Sequence, residues 1–113
     1  MIISILKVGD NLNDVVFTKE MILSIIENNN DKELLGEIND EYQLSNPHKM
    51  SHFIKNLRYN NILDSLDCDI IPLNTPYGQH LQLIYKHKMN IRYIPIFVKD
   101  NEIIKLKTVN ITK

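Results

Sequence analysis

The residues that could do chemistry cluster between Leu34 and Gly78. Ser51 and His52 set a hydroxyl beside an imidazole, the types that a nucleophile and its base require. Around them Met50, His52 and Ile54 alternate with Ser51, Phe53 and Lys55. That alternation fits a strand better than the helical face that Phe53, Ile54 and Leu57 would make. Neighbours on a regular strand point to opposite faces, so Ser51 and His52 are not expected to pair directly. Ser4, Ser24, Ser45 and Ser65 lack an elbow-like context, and a triad needs geometry that this spacing does not supply.

Metal chemistry is poorly served. His48 and His52 are four apart, but His48 follows Pro47 in a loop and His52 lies on a strand. His80 and His87 are seven apart on a helix, two turns, too far for one zinc ion without other ligands. Glu37 with Asp40 or Glu41, and Asp64, Asp67 and Asp69, lack the calcium-loop spacing and its mid-loop glycine. Thr75-Pro76-Tyr77-Gly78 could seat a phosphate at a helix N-terminus. With one glycine and no nearby lysine it reads as a capped helix start. Cys68, the lone cysteine, sits in an apolar run and reads as a buried, reduced thiol. No cofactor and no metal are expected.

The elements that must position these residues follow from periodicity. Ile2 to Lys7 is β-branched and ends at the turn Gly9-Asp10, so it predicts a first strand. Val15-Val16-Phe17 is a short apolar stub. Thr18 caps a helix over roughly 18–28, with Met21, Ile22, Ile25 and Ile26 on one stripe. Asn28 to Asp31 stops it. Glu33 to Ile38 predicts a strand in which Gly36 marks a bulge or a close backbone approach. Asn39 to Pro47 predicts an exposed loop. Asn60-Asn61 predicts a turn, after which Ile62 to Leu66 and Cys68 to Leu73 predict one long strand or a strand pair, with an edge or bulge near its end at Pro72.

Thr75-Pro76 then opens a second helix that reaches about Lys88, its stripe made of Leu81, Ile84 and Tyr85. Ile91 to Val98 predicts an edge strand because Pro95 lies inside it. A hairpin turn over Lys99 to Glu102 leads to a last strand, Ile103 to Ile111. No linker, repeat or low-complexity block divides residues 1–113, so one domain is expected. The class is α+β, with two main helices flanking a small antiparallel β-barrel or curved sheet.

Bulk composition narrows the partners. The 113 residues carry a formal net charge of −1, with 43% hydrophobic and 24% charged residues, which are globular values. Clustered Lys/Arg is missing, so neither nucleic acid nor an anionic membrane is expected as a partner. Apolar runs fall short of the ~20 residues of a membrane helix. Met1 to Leu6 lacks the basic lead and small-residue cleavage site of a secretory leader. Ile, Asn and Lys abound while Ala and Trp are absent, the imprint of A/T-rich codons in a phage, a virus or a low-GC bacterium.

The order of these motifs resembles a known family. Gly36-Glu37-Ile38-Asn39-Asp40, then Met50-Ser51-His52-Phe53-Ile54, then Ile71-Pro72-Leu73-Asn74-Thr75-Pro76-Tyr77-Gly78, then helix, strand and hairpin, is similar to prohead (capsid-maturation) proteases of large tailed phages. Those carry a Gly-Glu-Leu-Asp-His-like run, a Ser-His-hydrophobic strand and a Thr-Pro-x-Gly helix start. The resemblance implies a fold like that of herpesvirus assembly proteases, a small β-barrel flanked by helices. It covers nearly the whole chain.

The departures fall on the chemistry. The family's histidine would stand at Asp40, and a carboxylate cannot replace an imidazole base near neutral pH. The family's nucleophile lies in a Ser-Ser-Arg-Gly-like run, whereas Ile91-Arg92-Tyr93-Ile94-Pro95-Ile96-Phe97 holds no Ser and no Gly. His52 is the one remnant. The resemblance therefore implies a virion protein, made in the host cytoplasm, capsid-associated or head-auxiliary, without protease chemistry and binding other virion or capsid proteins. Pro95 and the Ile-rich terminal hairpin would be its docking surfaces. The alternatives are a divergent active assembly serine protease using His52, and an intracellular α+β protein-binding module.

Overall fold

The computed structural model describes residues 1–29, 33–38 and 50–112. Its elements in chain order are β1 (Ile2–Lys7), β2 (Asn11–Leu12), β3 (Val15–Val16), α1 (Lys19–Asn28), β4 (Leu34–Glu37), β5 (Met50–Asn60), β6 (Ser65–Pro72), α2 (Pro76–Lys86), β7 (Arg92–Asp100) and β8 (Ile103–Thr112). The strands form an antiparallel four-stranded sheet, β1-β6-β5-β4, a two-stranded ribbon, β2-β3, and a two-stranded hairpin, β7-β8.

Both helices start where local chemistry puts them. Thr18 Oγ1 accepts from the Met21 N–H at 3.2 Å, and Thr75 Oγ1 from the Gly78 N–H at 3.0 Å. Each cap satisfies one of the donors that a helix N-terminus leaves over. Pro76 takes the first helical position of α2. The chain then bends back so sharply that a Cβ at residue 78 would collide with the Leu73 backbone, which requires Gly78. Ile22 and Ile25 of α1 and Leu81 and Ile84 of α2 bury their stripes against Ile54, Leu66, Cys68 and Ile70 of the sheet.

The expected barrel is not closed. Ile38, just past β4, meets β8 through one parallel bridge, Ile38↔Ile111, and the Tyr93 hydroxyl of β7 donates to the Sδ of Met1, just before β1, with no ladder between β4 and β8 or between β1 and β7. The sheet is curved instead by bulges. Register slips occur in it between Ser4 and Leu6, Gly36 and Glu37, and Lys55 and Arg58, and in the β7-β8 hairpin between Ile96 and Phe97. Each extra residue bends its strand and sharpens its twist.

Two further expectations are corrected. No strand begins at Ile62: residues 61–64 form the turn between β5 and β6, because Asn60 Oδ1 accepts both the Ile62 and Leu63 N–H. Pro72 ends a central strand, not an edge one, at a point beyond the last β1 pair, Ile2↔Asp69. The loop expected over Asn39 to Pro47 lies outside the described residues, as do Asp40, Glu41 and His48.

Candidate functional site

Ser51 and His52 do meet. Ser51 Oγ lies 2.6 Å from His52 Nδ1, and both residues are 0% exposed. The expectation of opposite faces fails at a bulge. Gly36 pairs with His52 and Glu37 with Met50, so Ser51 is the extra residue on β5, opposite no partner. A bulge re-aims adjacent side chains, and here it brings both into the interior.

Hydrogen bonding fixes the proton positions. His52 Nε2 lies 2.7 Å from the Val109 carbonyl oxygen, which can only accept. Nε2 therefore carries the proton and Nδ1 accepts from the Ser51 hydroxyl. Gly36 O, at 3.5 Å from Ser51 Oγ, is too distant to compete for that hydrogen. Burial lowers the His52 pKa from 6.5 to about 4, against the smaller opposing effect of the Val109 hydrogen bond. The ring is neutral at neutral pH.

Gly36 makes the arrangement possible. A Cβ there would collide with the His52 imidazole and with the Val109 carbonyl. The glycine expected to mark a bulge or a close approach thus marks both. His52 threads through this gap from the sheet to β8.

Other buried polar side chains make the same junction. Asn29, just past the end of α1, donates to Leu106 O at 2.8 Å and accepts from Leu106 N–H at 3.0 Å, much as a strand would. Asn110 Oδ1 accepts from the Glu37 N–H at 3.0 Å, and Thr108 Oγ1 donates to Leu35 O at 2.7 Å. Asn29, His52, Thr108 and Asn110 fasten the hairpin to the rest of the molecule where a ladder is missing.

No protein-family model, curated protein or solved structure matches this chain.

As chemistry, the pair has the contact of a nucleophile and its base but not the access. A base whose pKa is near 4 removes a serine proton poorly at neutral pH. Its second nitrogen is spent on a backbone carbonyl, not on a carboxylate that would stabilise an imidazolium. The remaining candidates are dispersed. His80 is exposed on α2 and His87 is exposed at its C-cap, and among the described residues no three His, Cys, Asp or Glu side chains are placed to hold a metal ion.

Asp67 is buried, and accepts from Ser4 and Ser65 hydroxyls on Oδ1 at 2.6 and 2.7 Å and from Asn60 on Oδ2 at 2.9 Å. Burial alone would raise its pKa, but these hydrogen bonds, with the Arg58 charge, hold it below the usual carboxylate value. Asp69 pairs with Arg58 at 3.1 Å. Cys68 is fully buried, and that burial, with the Asp69 charge beside it, pushes its thiol up to about 12, so it is inert as a nucleophile at neutral pH. Thr75 spends its hydroxyl on Gly78 N–H and on Met50 O.

Reading the sequence alone missed Asn29, Thr108 and Asn110. For Thr108 and Asn110 the available signal was the run Thr108-Val109-Asn110-Ile111, too polar at alternate positions for a strand buried on both faces unless those two side chains bond inside.

Proposed function

We propose that this chain is a non-enzymatic virion protein, capsid-associated or head-auxiliary, on a protease-like fold whose catalytic chemistry has been replaced by structural bonding. The observation that carries the reading is His52, enclosed with both ring nitrogens committed to Ser51 and Val109. The imidazole that remains from the family pattern holds strands together. β7, where the family's nucleophile would lie, has no serine. Function then rests on surfaces. Near the β7-β8 turn Val98 and Ile103 stand exposed, and other capsid subunits would dock there.

Mass spectrometry of gradient-purified particles tests this reading. The chain is expected at a fixed ratio to the major capsid protein; its absence from particles and from assembly intermediates would reject the role.

The 2.6 Å Ser51–His52 contact favours a second reading, a divergent serine protease. A fluorophosphonate probe separates the two. No labelling is expected, whereas labelling at Ser51 that disappears in His52→Ala would establish the protease and remove the first reading.

A further inference from the structure

The turn between β5 and β6 is an apolar knob on a rigid mount. Ile62 is 92% exposed and Leu63 50% exposed, with Val8 also exposed next to the turn. Ile62 is the most exposed of the large apolar residues described. The turn is held from within: Asn60 Oδ1 binds the Ile62 and Leu63 N–H, and Asp64 Oδ1 accepts from Tyr59 OH at 2.8 Å. The Val8 N–H donates to Asp64 O at 2.9 Å, tying the turn to the end of β1. Single exposed aliphatics are ordinary. Two adjacent ones on a pre-ordered turn have already met the entropic cost of being fixed, which favours contact with a partner.

The same chain carries a matching cavity. An apolar groove of about 570 Å³ runs between the β2-β3 ribbon and β7, lined by Leu12, Val15, Phe17, Ile96 and Val98. Pro95 lies in the middle of β7 and has no N–H to give, so an added strand would find an interrupted edge. A compact side-chain knob suits the groove better. Charge agrees as well. Lys99 is exposed at the groove and Asp64 is exposed beside the knob, and neither makes an ion pair among the described residues.

We infer that the groove receives the Ile62–Leu63 turn of a second copy of this chain, with Asp64 of one copy facing Lys99 of the other. The contact extends the binding role proposed above. It is measured on the purified chain without any particle, so either can fail alone. One knob buries little area, and the association is weak outside an assembly, where many copies would add their contacts.

Sedimentation velocity of the full chain between about 10 μM and about 1 mM covers the relevant range. The wild type shifts toward larger species as concentration rises. Ile62→Asp, at a solvent-exposed turn, and Val98→Asp, at the groove, each weaken association at least tenfold. Lys99→Glu replaces the groove variant if circular dichroism shows that Val98→Asp is misfolded. The decisive arm mixes the two, because the knob variant keeps an intact groove and the groove variant an intact knob. Differently labelled, they form a mixed complex that neither forms alone. A wild type that stays monomeric throughout, or a mixture that does not associate, would overturn the inference and leave the groove to another kind of partner.

Discussion

His52 is held by what surrounds it more than by its own position in the strand. The bulge at Ser51 turns it inward, Gly36 leaves the gap, and Val109 takes its proton. Gly36→Ala tests the gap. A methyl group there forces out the imidazole or the Val109 carbonyl, adding overpacking to a lost buried hydrogen bond. The expected loss is about 3 kcal/mol in urea unfolding at pH 7. A loss below about 0.5 kcal/mol would mean that the contact is soft. From sequence, Gly36 was legible as a bulge or close approach, and His52 only as a residue of a strand. Their mutual dependence was not, because the assumption of strict strand alternation separated Ser51 from His52 and no local pattern announces a bulge.

Elements were more legible than contacts. The strand over 2–7, both capped helices and the last two strands stand within a residue or two of their expected places. Their signals, β-branched runs and Thr caps, act locally. The turn expected at Asn60-Asn61 is there but runs on through 64: Ile62 and Leu63 read as strand, while the Asn60 side chain holds both in the bend.

The end of α2 shows a local rule broken. Met89 N–H binds Ile84 O and Lys88 N–H binds Tyr85 O, at 3.1 and 3.2 Å, closing the helix with a left-handed residue at Lys88, φ 53°. Glycine suits that position, so Lys88→Gly is expected to raise stability by about 1 kcal/mol, read as a higher urea midpoint at constant slope. At the end of α1 the opposite holds. Asn29→Ala leaves both backbone groups of Leu106 without their partner inside the protein, and is expected to cost about 2 kcal/mol in the same measurement.

At the scale of the molecule, buried polar side chains stand in for barrel closure. The α+β class and the succession of elements along the chain were readable; the sheet order and the open seams were not, because both depend on which strands find each other across the chain. The design carries a pH dependence. His52 has a folded pKa of about 4 against 6.5 when free, so above pH 6.5 both states are neutral and stability is full. As pH falls from 6.5 to 4 the unfolded chain takes up the proton first, and stability declines by about 3 kcal/mol. His52→Asn starts less stable at pH 7 but lacks that share of the decline. Asp67, whose pKa is lowered, adds a further loss only in more acid solution.

The histidine ring itself gives the most direct test. Nitrogen-correlated NMR of the imidazoles between pH 8 and pH 4 reports both tautomer and titration. The expected result for His52 is a single neutral tautomer, protonated on Nε2, unchanged from pH 8 to about pH 5 and slow to exchange with water. A ring that titrates near 6.5, or that carries its proton on Nδ1 toward Ser51, would contradict the structural role and reopen the catalytic one.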